Sequence, residues 1–176
     1  MHHDPFDSIR NPIRREYLRT AFSIIKKIFD DSLISFAIYG SVARGNDRPE
    51  SDNDVLLILD TDMEFHERCS LLAKAMLKLY ETEAFKEMVK KGYNTFIEFY
   101  PLSKEEASVF RPIYLDMVED SVVIYDRDNF FNKVLHKVKR LMDRLGSRRV
   151  WISDDKWIWI MKPDVKFGER VEYVLE

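Results

Sequence analysis

The feature that most constrains this chain is a run of six residues with no polar residue after the first, Asp-Val-Leu-Leu-Ile-Leu at residues 54–59. A strand that is apolar on both faces has to be covered on both sides, because neither face can be left in water. A second short apolar run, residues 33–39, ends at Gly40. The two runs predict neighbouring buried strands in a sheet with helices on its faces.

The remaining segments predict an ordered alternation of helices and strands. Helical spacing of apolar residues covers 6–31, 63–91 (one long helix or two broken ones) and 129–145, with a shorter helix around 113–119. Residues 94–100, closed by Pro101, and residues 122–125 predict a third and a fourth strand. The order α-β-β-α-β-α-β-α indicates an α/β or α+β domain rather than a bundle or a sandwich.

The end of the chain differs in character, and we predict that residues 1–146 form one domain and residues 147–176 a β-hairpin extension packed on it. Residues 149–152 and 156–160 predict strand, turn and strand, and residues 171–174 a third strand. Trp151, Trp157 and Trp159 suit base stacking or packing. Because two of them alternate with isoleucines, packing or a protein interface is favoured. The apolar tail also permits a homo-oligomer.

Charge and hydropathy exclude some classes of protein. The 176 residues carry a net charge of −3 with a pI of about 5.9, whereas proteins that bind duplex nucleic acid are more often basic. A long nucleic acid is therefore not the expected partner. No apolar stretch approaches the ~18 residues of a membrane span, and residues 1–5 lack the apolar region of a signal peptide. We expect a cytoplasmic protein with no membrane partner.

The chemistry is concentrated around the turn at Gly40-Ser41 and the pair Asp52 and Asp54. A strand that ends at glycine and turns into a helix presents free N–H groups, which favour an anion. Two aspartates at period two project from the same face of a strand. Their mutual repulsion is relieved by a divalent cation such as Mg²⁺, which binds carboxylate and phosphate oxygens. The sequence therefore predicts a phosphate grip beside a magnesium site.

Glu98 is the one charged residue inside the predicted third strand. A carboxylate in an apolar strand is costly unless it is paired, metal-bound or facing water. If this strand lies beside that of Asp54, Glu98 faces the metals as a third acid. The alternative is an edge charge that reaches solvent.

The pattern Gly40-Ser41, a polar spacer, and Asp52-Asn53-Asp54 followed by apolar residues resembles the nucleotidyltransferase superfamily that includes DNA polymerase β. It is most similar to the minimal nucleotidyltransferases that prokaryotes, archaea among them, often encode beside HEPN-domain proteins. The resemblance implies the nucleotidyltransferase fold, a mixed sheet flanked by helices. It also implies triphosphate binding at Gly40 and Ser41, and two Mg²⁺ ions held by Asp52, Asp54 and Glu98.

Three points leave alternatives open or depart from the family pattern. Arg44 matches a basic position of the family, and it suits either a phosphate contact or an ion pair with a nearby aspartate. Asn53 replaces the usual apolar residue, so we expect this position to be less buried than in relatives. Asp60 and Asp62 predict a helix cap for residues 63 onward rather than a second metal site.

These features predict a Mg²⁺-dependent nucleotidyltransferase that transfers a nucleoside monophosphate, AMP from ATP being the expected case. The resemblance allows a hydroxyl of a protein, an RNA or a small molecule as acceptor, and it makes a HEPN-domain protein a candidate partner. The rival hypothesis is a non-catalytic, antitoxin-like binding module that neutralises such a partner by contact.

Overall fold

The computed structural model describes residues 4–176. Residues 1–3, part of the N-terminal segment in which the sequence predicts no signal peptide, lie outside the described residues. Across residues 4–176, none of the helices combines the length and the apolar character needed to cross a membrane.

Helices and strands follow the predicted order along the chain. The α-helices of the described residues are α1 Pro12–Phe29, α2 Gly40–Arg44, α3 Phe65–Tyr80, α4 Glu83–Lys90, α5 Lys104–Ala107, α6 Ile113–Asp120 and α7 Phe130–Leu145. The strands are β1 Leu33–Tyr39, β2 Asn53–Leu59, β3 Ile97–Ser103, β4 Val122–Asp126, β5 Arg148–Ser153 and β6 Lys156–Ile160. Short 3₁₀ turns occupy Pro5–Ser8, Asp30–Ser32 and Arg127–Asn129.

The central sheet is mixed and has the strand order β3-β2-β1-β4. Strand β1 pairs antiparallel with β2 and with β4, whereas β2 and β3 run parallel. Parallel neighbours need a crossover connection, and α3 and α4 supply it. The predicted fold class, a mixed sheet flanked by helices, is confirmed. Strands β5 and β6 form a separate antiparallel hairpin.

Strand β2 is buried on both faces, as its apolar run predicts. Val55, Leu57 and Leu59 belong to the core beneath α1, α3 and α4. Leu56 and Ile58 belong to the core beneath α6 and α7. Two helical layers therefore cover β2, in which only Asp54 is partly exposed.

The predicted bounds of the third strand were wrong, because β3 begins at Ile97 and continues through Pro101 to Ser103. Proline lacks the N–H that a central strand needs, but it is tolerated on an edge strand. Strand β3 is an edge of this sheet, so its pairing with β2 continues past the proline.

Two other predictions were also wrong. Residues 171–174 form no strand in the described structure. Helix α3 is capped not by Asp60 or Asp62 but by Glu64, which forms a reciprocal capping box with Glu67. Asp60 instead makes ion pairs with side chains of other segments, Lys104 at 3.5 Å and Arg127 at 3.6 Å.

A buried arginine of α1 fixes the loop that leads into β2. The guanidinium of Arg14 donates to Asn53 Oδ1 at 2.8 Å and to the Arg48 carbonyl at 2.7 Å, and its Nε lies 2.9 Å from Asp47 Oδ2. Asn53 in turn donates to the Phe96 carbonyl at 2.9 Å. Arg14 and Asn53 are both fully buried.

This network corrects the expectation that Asn53 is less buried than its apolar counterparts. A buried amide is stable only when its donors and acceptor are satisfied. The guanidinium of Arg14 and the backbone of the segment before β3 satisfy those of Asn53. Asn53 therefore holds the start of β2 against α1 and β3 together.

We predict that Arg14→Met lowers the free energy of unfolding by about 3–5 kcal/mol. The substitution leaves the buried Asp47 carboxylate without its counter-charge, a loss that costs this much in buried pairs. Urea denaturation measures the change. The control is Lys27→Met on an exposed position of the same helix, for which a change within about 0.5 kcal/mol is expected. A loss below about 1 kcal/mol for Arg14→Met would contradict this account.

Candidate active site

The turn between β1 and α2 is built around Gly40. Its φ of +69° is a left-handed conformation, which glycine adopts without the steric cost that a Cβ imposes. Helix α2 starts at Gly40, and no side chain among residues 4–176 caps its first N–H groups. The predicted strand, glycine and short helix are confirmed, and they place Ser41 in the first turn of that helix.

The Asp54 carboxylate lies directly against this turn. A Cβ placed on Gly40 would come within 2.0 Å of Asp54 Oδ2, far inside van der Waals contact. Only glycine therefore allows the approach. The predicted phosphate grip and one of the predicted acids meet at a single point of the structure.

Glu98 lies next to Asp54 in the parallel register of β2 and β3. Partners in register share a face of the sheet, so both carboxylates point to the face covered by α6 and α7. Asp52 immediately precedes β2, and its Oδ1 accepts a hydrogen bond of 2.7 Å from Asn94 Nδ2. The structure thus brings all three predicted acids to the same end of two neighbouring strands.

The electrostatics of the site reflect this crowding. The pKa of Asp54 is raised to about 6, first by burial and then by the nearby Glu98 and Asp52, while Arg44 acts in the opposite direction. Burial also raises the pKa of the Tyr39 hydroxyl, with Asp54 and Glu98 adding to the effect. An excess of negative charge at a partly buried site favours a cation.

The donor set suits magnesium, which prefers oxygen ligands and takes one or two carboxylates together with phosphate oxygens and water. Across residues 4–176, no three His, Cys, Asp or Glu side chains are grouped closely enough to enclose an ion. Glu98 is exposed, and Asp52 is held by the Asn94 side chain. Asp54 is therefore the best placed of the three acids to serve as the fixed ligand.

Arg44 makes a long ion pair, since its Nη1 lies 3.9 Å from Asp120 Oδ2. Its guanidinium carbon lies 4.8 Å from the centre of the Trp157 ring. The structural pair that the sequence left open is thus present, although it does not exclude a phosphate contact. Arg44 also lines a cavity of about 440 Å³ together with Ser41, Asn46 and Arg48.

The sequence did not point to the residues that surround Arg44. Asp116 Oδ1 accepts hydrogen bonds from both Trp157 Nε1 at 2.7 Å and Trp159 Nε1 at 2.9 Å, and Asp120 pairs with Arg149 at 2.8 Å. Trp157 and Trp159 therefore pack on α6, in agreement with the prediction from sequence, which favoured packing over base stacking. A tertiary contact between α6 and the hairpin leaves no local sequence signal that would have revealed it.

A cleft of about 370 Å³ opens beside Tyr39, whose hydroxyl is close enough to Asp54 and Glu98 for both to raise its pKa. It is lined by Tyr39, Tyr100, Phe110, Arg111, Pro112 and Ile113. Arg111 Nη1 donates to the Tyr100 hydroxyl at 3.0 Å and its Nε donates to the Glu106 carbonyl at 3.0 Å. The site therefore has a polar cavity on the side of α2 and an aromatic cleft on the side of β3.

Comparisons with known proteins bear on the family of this chain. A family model described as a nucleotidyltransferase domain matches residues 18–134, more than half of the chain. A curated protein of Methanocaldococcus jannaschii named "Putative protein adenylyltransferase MJ1305" is 26% identical over 155 residues, which cover 85% of this chain and 93% of that protein.

Two crystal structures of toxin–antitoxin complexes show weaker likeness. One, with AMP-PNP, gives a TM-score of 0.44 at 14% identity and covers 70% of this chain and 91% of that chain. The other, of MntA-HepT, gives a TM-score of 0.41 at 13% identity and covers 73% and 92% respectively. Scores of this size carry no argument about function.

We predict that Asp54→Asn stabilises the ligand-free protein at pH 8 and not at pH 4. Because folding raises the pKa of Asp54, the folded protein tolerates the protonated carboxyl better than the ionised one. The stability that protonation of Asp54 contributes is therefore complete below about pH 4 and is lost as the pH rises through about 6. The full shift corresponds to about 3 kcal/mol, and screening at this partly exposed site reduces that to about 1–2 kcal/mol.

Thermal melting in metal-free buffer at the two pH values measures the effect. A gain of about 2–8 °C is expected at pH 8, given about 2–4 °C per kcal/mol for a chain of this size. Asp62→Asn, at an exposed position, is the matched control. This variant should melt at the same temperature as the native protein at each of the two pH values. Equal melting of Asp54→Asn and the native protein at pH 8 would show that the carboxylate is not penalised by folding.

Proposed function

Because this chain belongs to the family of nucleotidyltransferase domains and is a transferase, we propose that it moves a nucleoside monophosphate from a nucleoside triphosphate to a hydroxyl group in a Mg²⁺-dependent reaction. The observation that carries the proposal is the contact between the Asp54 carboxylate and the Gly40 turn. A phosphate chain bound at that turn lies beside the acids that would hold the metal.

The residues have distinct roles in this proposal. The backbone of Gly40 and the hydroxyl of Ser41 orient the terminal phosphates at the start of α2, where N–H groups favour an anion. Arg44 neutralises charge on the same phosphates from the cavity that it shares with Ser41. Positioning and charge stabilisation of this kind supply much of the rate in phosphoryl transfer.

Asp52, Asp54 and Glu98 would hold the magnesium ions, with Asp54 the least exposed of the three. Bound Mg²⁺ supplies charge stabilisation for the phosphates and lowers the pKa of an attacking hydroxyl. Glu98, exposed on the edge strand β3, is open to an incoming acceptor. Its carboxylate is the group that would accept or orient the proton of the acceptor hydroxyl.

ATP as the donor and a protein hydroxyl as the acceptor are the specific form of the proposal. The name of the Methanocaldococcus jannaschii relative supports this form, because that name describes a protein adenylyltransferase. The resemblance to minimal nucleotidyltransferases encoded beside HEPN-domain proteins makes such a neighbour the first acceptor to test. An RNA or a small molecule is the alternative acceptor.

We predict that label from α-³²P-ATP is transferred to an acceptor only when Mg²⁺ is present, and that Asp52→Ala and Asp54→Ala each reduce transfer by at least about 100-fold. Losses of this size follow when one stabilising group is removed from a phosphoryl or acyl transfer site. The assay uses the purified protein with a HEPN-domain neighbour, with RNA, and alone. Asp62→Ala serves as the control, with native activity expected.

The same assay separates the enzyme from the rival binding module. If no acceptor is labelled and the double variant Asp52→Ala/Asp54→Ala still neutralises the HEPN-domain neighbour, the protein acts by contact and the enzymatic proposal is wrong. If neutralisation requires both aspartates and ATP, the transfer reaction is the means of neutralisation.

We predict that Gly40→Ala reduces transfer on the order of 100-fold, because a methyl group at this position displaces the Asp54 carboxylate, and misplacement by about 1 Å has a cost of this order. Gly92→Ala is a matched control. Gly92 has a φ of +73°, so the same backbone strain arises, but a Cβ there meets no atom within 4 Å. Native transfer by Gly40→Ala would contradict the close approach.

A further inference from the structure

The C-terminal hairpin contacts the helix that follows the Gly40 turn, and we propose that Trp157 is a positioning residue that holds Arg44 toward the nucleotide phosphates. The inference deepens the proposed function and rests on it. It gives the hairpin formed by β5 and β6 a role in the site, although the hairpin contributes none of the acids.

The Arg44 side chain is largely buried. Its Nε is buried and has no hydrogen-bond partner within residues 4–176, and the nearest carboxylate, that of Asp120, is 3.9 Å away. The Trp157 ring, 4.8 Å from the guanidinium carbon, is therefore a main source of stabilisation. Tryptophan is the most favourable ring for such a cation–π contact.

Trp157 is itself held in place by three groups. Its Nε1 donates to Asp116 on α6, its ring lies 5.0 Å from that of Trp151 on β5, and the Arg149 guanidinium lies 5.0 Å from its centre. The hairpin register pairs Trp151 with Trp157. An indole fixed on several sides orders the flexible arginine that lies over it.

The carboxylate of Asp120 does not neutralise Arg44 fully. Asp120 lies 2.8 Å from Arg149 and 3.9 Å from Arg44, and Coulomb attraction falls with distance. Arg149 is thus its main partner. Arg44 keeps much of its positive charge for another anion, and the cavity of about 440 Å³ that it lines with Ser41 provides the space.

The hairpin also borders that cavity. Its turn residues, Asp154 and Asp155, line the cavity together with Ser41 and Arg44. These two aspartates and Glu50, which also lines the cavity, repel a phosphate chain, whereas Arg44 and Arg48 attract it. The charge pattern therefore favours a phosphate chain held against α2, on the side of Arg44.

The test compares Trp157→Leu with Trp159→Leu. Both variants lose an indole hydrogen bond to the same Asp116 oxygen and a contact of about equal length with Arg149, 5.0 Å for Trp157 and 5.2 Å for Trp159. Of the two rings, Trp157 is the one beneath Arg44. Calorimetry measures the binding of the non-hydrolysable analogue AMP-PNP with Mg²⁺, and thermal melting checks that each variant folds.

We expect Trp157→Leu to weaken binding about 3- to 30-fold, the range of a cation–π contact expressed as a ratio of Kd values, and Trp159→Leu to leave it unchanged. In the Arg44→Ala background, Trp157→Leu should cause no further loss, because the two residues act through one interaction. Equal weakening by the two tryptophan variants, or additive losses in the double variant, would overturn the proposal.

A second measurement does not depend on nucleotide binding. In ¹⁵N-labelled, ligand-free protein, the Arg44 Nε–H signal should be displaced by the ring current of Trp157. It should move to the position of a solvated arginine in Trp157→Leu but not in Trp159→Leu. An unchanged signal in Trp157→Leu overturns the positioning role. If the native protein neither binds AMP-PNP nor transfers label, the proposed function fails, and this signal still decides whether Trp157 holds Arg44.

Discussion

The candidate site depends on the contact between a carboxylate and a glycine, Asp54 against Gly40. It requires that the turn have no side chain and that β1 and β2 be antiparallel neighbours with Tyr39 opposite Asp54. Given that pairing, a phosphate-binding helix start and a metal-binding acid are adjacent. The Arg14–Asn53 network serves the same end, because it anchors the loop between α2 and β2 to the buried face of α1.

The acids at the site lower the stability of the folded protein, but the proposed function requires them. Burial and neighbouring acids raise the pKa of Asp54, which means that the folded protein holds a carboxylate where its charge is unfavourable. A cation offsets this cost, and so does the proximity of Arg44. Such perturbed groups gathered at one place are typical of functional sites, whereas residues 55–59 of β2, which continue the same strand into the core, are all apolar.

The hairpin joins the site through α6. Asp116 and Asp120 lie one helical turn apart and face the hairpin, where they contact Trp157, Trp159 and Arg149. Residues i and i+4 share a face of a helix, so α6 presents one acidic edge to the indoles and the guanidinium. Trp157 connects this edge to Arg44, since its indole donates to Asp116 and its ring lies beneath the Arg44 guanidinium. In the proposed function the hairpin would therefore form part of the surroundings of the nucleotide.

The order of elements, the burial of β2 and the placement of Gly40, Asp52 and Asp54 in one segment could be predicted from the chain alone, because local spacing and apolar runs encode these features. Three features required the folded chain: β3 lies parallel to β2 with Glu98 beside Asp54, Asn53 is buried against Arg14, and Arg44 lies over Trp157. These contacts join residues that are distant in sequence, so no local pattern specifies them. Pro101 and Asn53 were misjudged for the same reason: whether a strand is an edge, or an amide is satisfied, depends on neighbours that folding supplies.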